Sequence, residues 1–284
     1  MNITKYKTLE RSAKDSLAVR FLYNTFLGRM ILKVLVNPWL SKVVGKIMDS
    51  RFSSVFISGF IKSNNISLEE YKEEKYKTFN QFFTREIKDG KRLLSENCNE
   101  FLAPCDGKLS VYKITSESVF EIKNSFYDIN SLLKDKKLAD EYREGTCLIF
   151  RLTPDDYHRY CFVDDGKIIS HKKIKGKLHT VRPIALNRYK VYIENSREYD
   201  VLETKDFGKI IQMEVGALLI GRIANKITEG EFKRGQAKGM FEFGGSTIIM
   251  LLKKDEVKIL DEIFENTLNN KETIVRMGDK IGEK

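Results

Sequence analysis

From residue 101 onward, short runs of β-branched and aromatic residues alternate with turn residues. They are KLSVYKI (108–114), TCLIFRL (146–152), YKVYIE (189–194), KIIQMEVGALLIG (209–221) and STIIMLL (246–252). Runs of this length between turn signals read as strands, so residues 96–284 are expected to form a β-rich domain. A last helix is expected at 261–269, then a strand-like TIVRM (273–277) and a turn at Gly278. The first 95 residues have a helical texture instead. The segment FNQFFTREIKDGKR (79–92) reads as a helix ending at Gly90. The expected fold class is therefore α+β, with a helical region (1–95) packed on a β-rich domain (96–284). No internal repeat or low-complexity linker interrupts it.

Residues 17–36, LAVRFLYNTFLGRMILKVLV, are strongly apolar, but Arg20, Arg29 and Lys33 break the run. A spanning helix needs roughly 20 mostly apolar residues without central charge. Arg29 and Lys33 stand one turn apart and share a helical face, and Pro38 favours a stop just before it. The pattern predicts an amphipathic helix lying in a membrane interface, its cations toward lipid headgroups. A second stretch follows Trp39, with Val43, Val44, Ile47 and Met48 against Lys42 and Lys46. Both segments also fit helices packed on the protein's own core. Charge is concentrated here: the chain carries a formal +10, and residues 1–50 hold nine Lys/Arg against three Asp/Glu. Such a segment suits a lipid leaflet or nucleic acid, or a plain solvated face. No recognised nucleic-acid motif accompanies it, so a nucleic-acid partner is not expected.

The four cysteines, Cys98, Cys105, Cys147 and Cys161, form no CxxC pair, and no histidine completes a zinc-ligand spacing. No metal centre is expected, and free thiols suit a reducing compartment. Residues 1–15 lack the apolar run of a signal peptide, which makes the cytoplasmic side the expected location.

The stretch MFEFGGSTIIMLL (240–252) places two glycines before a Ser-Thr pair at the start of a strand. Glycine permits backbone conformations that other residues avoid. A strained Gly-Ser bond can bring the serine hydroxyl to the preceding carbonyl, converting amide to ester. Elimination would then break the chain and leave a ketone, a pyruvoyl group, at the new terminus. On its own the stretch also reads as an ordinary glycine turn entering a strand. APCDGKL (103–109) sets Asp106 in a tight Asp-Gly turn. LTPDDYHRYCFVDDG (152–166) flanks His158 with Asp156, Tyr157 and Arg159, which makes it a candidate base among only three histidines. MEVGALLIGRI (213–223) is an apolar strand with glycines where a ligand could approach.

The blocks FNQFFTRE (79–86), APCDGK (103–108), TPDDYHR (153–159), PIAL (183–186), MEVGA (213–217) and FEFGGST (241–247) stand in one order along most of the chain. Together they resemble the phosphatidylserine decarboxylase family, in particular its clostridial-type members. The resemblance implies that Ser246 is the self-cleavage nucleophile and the source of a covalent pyruvoyl cofactor. Cleavage between Gly245 and Ser246 would give a β chain of residues 1–245 and an α chain of residues 246–284. Asp106 matches the aspartate of an Asp-His-Ser relay that drives processing, and His158 matches the first histidine of a Tyr-His-Arg-x-His block. The implied reaction is decarboxylation of phosphatidylserine to phosphatidylethanolamine and CO₂. The pyruvoyl ketone takes up the electrons left by the departing CO₂, and His158 is the candidate acid that protonates Cα. Phosphatidylserine in an anionic membrane is then the expected partner, with peripheral attachment to the cell membrane and a homodimer as the family's pattern.

Two positions depart from that pattern. Cys161 stands where the block has its second histidine, and Arg182 precedes the proline where an asparagine is usual. A thiol exchanges a proton but cannot carry positive charge or bridge two partners as imidazole does. His158, His171 and His179 are the possible substitutes. The alternative is a processing-deficient family member that acts as a lipid-binding protein.

Overall fold

The structure, a computed structural model, describes residues 6–10, 16–72, 75–122, 125–186, 188–218, 222–243 and 246–284. Gly245, on one side of the bond expected to break, lies outside the described residues, and Ser246 lies within them.

The strand-like runs assemble into a 9-stranded antiparallel sheet. In spatial order its strands are Thr8–Glu10, Lys271–Val275, Gly107–Lys113, Thr146–Leu152, Ser246–Leu252, Lys209–Val215, Arg197–Thr204, Gly166–Ile174 and Gly230–Phe232. Successive side chains in a strand face opposite ways, so a strand apolar at every position must be covered on both sides. Ser246–Leu252 is such a strand and is buried along its whole length. Ile249 and Leu251 join a core shared with helices, together with Tyr23, Leu32 and Tyr192. Ile248, Met250 and Leu252 join a second core with Tyr160, Phe162 and Phe241. That second core lies against a 3-stranded sheet of Arg222–Asn225, Ala237–Glu242 and Arg159–Cys161.

The α+β expectation holds, with differences in detail. The apolar segment 17–36 forms two helices, α1 (Leu17–Asn24) and α2 (Phe26–Leu35), rather than one. Thr25 makes the break: its hydroxyl accepts from the Gly28 N–H at 2.9 Å and donates to the Phe21 carbonyl at 2.8 Å. It thus caps α2 at the expense of continuing α1. A Cβ at Gly28 would fall 2.1 Å from the Phe21 carbonyl oxygen, so only glycine lets the two helices meet there. Helix α3 (Pro38–Met48) follows with Pro38 in its first turn, a 3-10 turn spans Arg51–Phe56, and α4 covers Ile57–Asn64.

The helix expected to run to Gly90 is only α5 (Phe79–Phe83). Beyond it the chain turns back, so that Ile87 bridges to Tyr71. Gly90 takes a left-handed φ of 77° in a surface turn. YKVYIE, expected as a strand, gives a one-turn helix at Val191–Glu194. The first 95 residues are not purely helical either, since Thr8–Glu10 pairs with Lys271–Glu272–Thr273 at the edge of the large sheet.

Among the described residues, no helix is long and apolar enough to cross a membrane. The apolar face of α2 nevertheless points outward. Phe26, Leu27 and Val34 are 75, 62 and 66% exposed, whereas Gly28 and Leu32 face the protein. Trp39, Phe52 and Val55 extend the exposed apolar surface onto the following elements.

Candidate active site

Several strand ends meet at one end of the large sheet. Gly107–Lys113 and Ser246–Leu252 begin there, and Thr146–Leu152 and Lys209–Val215 end there. A cleft of about 940 Å³ opens at this end, lined among others by Asp106, Leu152, Thr153, Asp156, Ala217 and Phe243. Its outer wall comes from the helical region, through Val19, Phe60 and Ile66, and from the Thr180–Val181–Arg182 loop. That loop is tied to the first helix, because the Thr180 N–H donates to the Tyr23 hydroxyl at 3.1 Å.

Ser246 pairs with Leu152, one of the lining residues, and is fully buried. Alternation puts its side chain on the face of Ile248 and Met250, toward the 3-stranded sheet. Its Oγ has no hydrogen-bond partner among the described residues. An unpaired buried hydroxyl costs about 1–3 kcal/mol, which calls for a reason beyond packing.

His158 stands immediately before the strand Arg159–Cys161 of that small sheet. Its carbonyl accepts the Phe241 N–H at 2.9 Å, which fixes it beside the chain leading to Ser246. The imidazole is fully buried and packs on Phe83, with ring centroids 4.1 Å apart. Phe83 also packs edge-on against Phe243 at 5.9 Å, so one aromatic cluster joins His158 to the residue three before Ser246. His158 Nδ1 lies 2.9 Å from the Asp156 carbonyl, and Nε2 has no partner among the described residues. Burial, aided by the positive charge of Arg85, lowers the His158 pKa to about 3. The side chain is therefore a neutral imidazole.

The TPDD turn holds this arrangement. Lys108 Nζ donates to both oxygens of the Asp156 carboxylate at 2.8 and 2.7 Å, and the Thr153 N–H donates to Asp156 Oδ2 at 2.6 Å. Asp156 thus positions His158 through its main chain while its side chain is locked by Lys108. Arg85 Nη2 reaches the same Asp156 carbonyl at 3.4 Å, and the guanidinium lies 4.2 Å over the Tyr71 ring. The sequence shows Asp156 only as a neighbour of His158, and gives no signal for Phe83, Arg85 or Lys108 as its supports.

Asp106 lies at the mouth of the cleft and engages an arginine rather than a histidine. Arg92 grips it as a fork, Nη1 to Oδ1 at 2.7 Å and Nη2 to Oδ2 at 3.1 Å, and the Met277 N–H adds a bond at 2.8 Å. No hydrogen bond joins Asp106 to His158 or Ser246 among the described residues. Cys161 is buried next to the Asp106 turn, with its thiol 3.5 Å from the Pro104 carbonyl. Burial pushes that thiol up to about 12, which makes it a donor to the carbonyl and not a base. The other two histidines are engaged elsewhere. His171 Nδ1 is 2.7 Å from Asp200, in a buried network with Lys238. His179 stacks on Tyr189 at 4.2 Å.

The arrangement can do acid–base chemistry at a buried hydroxyl. Among the described residues it has a neutral imidazole with one free nitrogen, a serine hydroxyl without a partner, and mostly apolar surroundings. These residues also fit a pyruvoyl group at position 246, since the group would arise from the side chain whose oxygen is unpaired.

Comparison with known proteins agrees with that geometry. A family described as phosphatidylserine decarboxylase matches residues 79–283. The chain is 49% identical to phosphatidylserine decarboxylase proenzyme 2 of Clostridium acetobutylicum, over 93% of this chain and 91% of that protein. It is 40% identical to the phosphatidylserine decarboxylase proenzyme of Ruminiclostridium cellulolyticum, over 98% and 95%. It is 38% identical to that of Fusobacterium nucleatum, over 99% of both chains.

Proposed function

The chain belongs to the phosphatidylserine decarboxylase family, and from that premise we propose that it decarboxylates phosphatidylserine after cutting itself between Gly245 and Ser246. The observation that carries the reading is a pair of buried atoms without partners among the described residues, Ser246 Oγ and His158 Nε2, with the His158 carbonyl bonded to Phe241 on the strand that leads toward Ser246.

Maturation uses residues of this chain alone. His158 Nε2 takes the proton from Ser246 Oγ as the oxygen attacks the Gly245 carbonyl carbon. The C–O bond forms, the amide C–N bond breaks, and the proton passes to the departing nitrogen. A base then removes the Ser246 Cα proton and the Cβ–Oγ bond breaks, which releases residues 1–245 with a terminal carboxylate. The enamine left on residue 246 tautomerises, and water displaces its nitrogen as ammonia. A pyruvoyl group at residue 246 would supply a ketone beside an amide carbonyl, a sink for the electron pair left by CO₂. His158 Nε2, which would take up a proton shed by the substrate's ammonium group, would return that proton to the substrate Cα.

The acyl chains of the substrate stay in a bilayer, so the cleft must open at its surface. The outward apolar face of α2, the cations Arg29 and Lys33, and the tie from Tyr23 to the cleft loop support docking at an anionic leaflet. We assign the protein a peripheral position on the cytoplasmic face of the cell membrane. The alternative, an uncut lipid-binding protein, rests on Cys161 alone, and the proenzyme names of the relatives give it no support.

Intact mass of the purified protein tests the reading. Processing gives two chains, residues 1–245 and 246–284, the second lighter by one ammonia than a serine-initiated chain and reactive with borohydride. A single uncut chain of 33.0 kDa without decarboxylase activity overturns it.

A further inference from the structure

One buried side chain grips the backbone just ahead of the scissile segment and has no part in the chemistry above. Asn80, on α5, accepts the Phe243 N–H on Oδ1 at 3.1 Å. Its Nδ2 donates to Asp49 Oδ1 at 2.7 Å and to Glu242 Oε2 at 3.3 Å. Two carboxylates on one side and an N–H on the other fix which end of the amide faces which partner. Arg222 closes the group, reaching Glu242 at 2.9 Å and Asp49 at 3.3 Å.

What Asn80 holds is strained. Phe243 has φ of +33°, a left-handed conformation that a bulky side chain avoids. Such strain persists only where the surroundings over-determine it. Here they do. Phe79 packs edge-on against the Phe243 ring at 5.0 Å, and α5 is itself fixed at both ends of its first turn. The Gln81 N–H donates to Thr78 Oγ1 at 3.1 Å and Gln81 Oε1 accepts the Lys77 N–H at 2.8 Å. The Phe79 N–H donates to Ser53 Oγ at 2.8 Å. The strained residue is separated from Ser246 only by Gly244 and Gly245. After cleavage Phe243 stands near a free chain end, where its backbone angle no longer aims anything at Ser246.

We propose that Asn80 is a positioning residue for self-cleavage: it holds Phe243 in its left-handed turn and so sets the direction in which the chain enters the Gly244–Gly245–Ser246 segment. The proposal rests on the self-cleavage reading above and adds the residue that aims the bond. Asn80 does not line the cleft and bonds only to Asp49, Glu242 and the Phe243 N–H through its side chain among the described residues, so its effect belongs to maturation and not to turnover.

The test follows conversion of full-length precursor into two chains over time, by denaturing gel and intact mass, with melting temperature recorded for each variant. Decarboxylation is counted per borohydride-labelled pyruvoyl group. Asn80→Ala is expected to slow cleavage about tenfold or more, the cost of one well-placed hydrogen bond, with turnover per pyruvoyl group as in wild type. The triple exchange Asn80→Asp, Asp49→Asn and Glu242→Gln keeps an acceptor for the Phe243 N–H and reverses both donor–acceptor contacts of the amide, so that no carboxylate faces another. It is expected to cleave within about threefold of wild type. Cleavage of Asn80→Ala at the wild-type rate overturns the proposal. So does a folded exchange variant that cleaves as slowly as Asn80→Ala, and this second arm stands even where Asn80→Ala does not fold. Wild type that stays uncut sinks the self-cleavage reading itself, whereas wild type that cuts no faster than Asn80→Ala sinks only the role of Asn80.

Discussion

His158 donates its Nδ1–H to the main-chain carbonyl of Asp156, 2.9 Å away, and this one contact fixes the tautomer of the imidazole. A carbonyl only accepts, so Nδ1 carries the hydrogen and Nε2 keeps its lone pair. Lys108 holds the Asp156 side chain, so the carbonyl cannot swing away without breaking an ion pair at 2.7 Å. Both His158 Nε2 and the Ser246 hydroxyl are buried and without a hydrogen-bond partner among the described residues, as the proposed roles of base and nucleophile require.

The first expectation concerns these two side chains. Ser246→Ala removes the attacking oxygen and is expected to leave the chain uncut. His158→Gln keeps a donor toward Asp156 but offers no basic nitrogen. It is expected to slow cleavage by about a hundredfold or more, the usual contribution of a positioned base. Time courses of the precursor band measure both, and cleavage of His158→Gln at the wild-type rate removes His158 from the mechanism.

The depressed His158 pKa also has a sign in stability. In the unfolded chain the imidazole takes its proton near 6.5, and in the folded protein only near 3. Between those values the unfolded state binds more protons, so stability is fully present above about pH 6.5 and is lost as pH falls toward 3. At about 1.4 kcal/mol per pH unit the loss is on the order of several kcal/mol. Urea unfolding of wild type and His158→Gln between pH 7 and 4 is expected to show the gap between them changing in this sense. A gap independent of pH would show that the histidine is not buried neutral.

The sequence was legible where burial leaves no choice. Thr146–Leu152 and Ser246–Leu252 begin and end with their apolar runs, because both faces of each strand are covered. YKVYIE was misread because Val, Tyr and Ile at this length suit a strand or one buried helical turn equally. The choice is made by Val191 and Tyr192 entering the helix-side core. The resemblance assigned roles to His158, Ser246 and Asp106 and implied an Asp-His-Ser relay without placing any of them in the fold, and the fold pairs Asp106 with an arginine. That arginine, Arg92, comes from the turn after α5, and no local pattern announces a contact of that kind. That Ser246 Oγ lacks a partner among the described residues is likewise invisible in a sequence, which does not say which donors and acceptors the fold brings near it.

Cys161 separates two views of the relay. Its thiol is raised by burial and donates to Pro104, so it should contribute little as a base. Cys161→Ala is expected to change the cleavage rate by less than about threefold, while His158→Gln loses far more. Cys161→His introduces a larger, polar ring into a packed site and is expected to cost about 1–3 kcal/mol in urea unfolding. A large loss of cleavage in Cys161→Ala, with stability unchanged, would return the thiol to the relay.

Arg92 carries a structural load at the cleft mouth. It pairs with Asp106 at 2.7 Å and with Glu70 at 3.1 Å, and Asp106 is buried. Arg92→Met keeps the stem and removes the charge, which leaves Asp106 with only the Met277 N–H. Breaking a pair of this kind by deleting one partner is expected to cost about 3 kcal/mol, read from urea unfolding of the uncut Ser246→Ala protein. Using that background separates the stability term from any effect on processing. A cost near zero would mean that solvent reaches the Asp106 carboxylate freely.

The outward face of α2 makes the last expectation. Phe26, Leu27 and Val34 lie mostly in water, and none of them belongs to either core. Replacing all three with serine therefore leaves the packing of Gly28 and Leu32 untouched. Full transfer of such side chains from water is worth about 1.5 kcal/mol or more each. Allowing for partial immersion, the triple variant is expected to bind vesicles of anionic phospholipid about a hundredfold more weakly. Exchanging Arg29 and Lys33 for glutamine should instead reduce the preference for anionic over neutral vesicles, by about 1 kcal/mol per cation at low salt. Sedimentation with vesicles measures both. Turnover on a dispersed short-chain substrate is expected to be unchanged in the triple variant, because no residue of α2 lines the cleft and the Tyr23 tie to the cleft loop belongs to α1. Unaltered vesicle binding by the triple variant would mean that this face serves something other than a membrane.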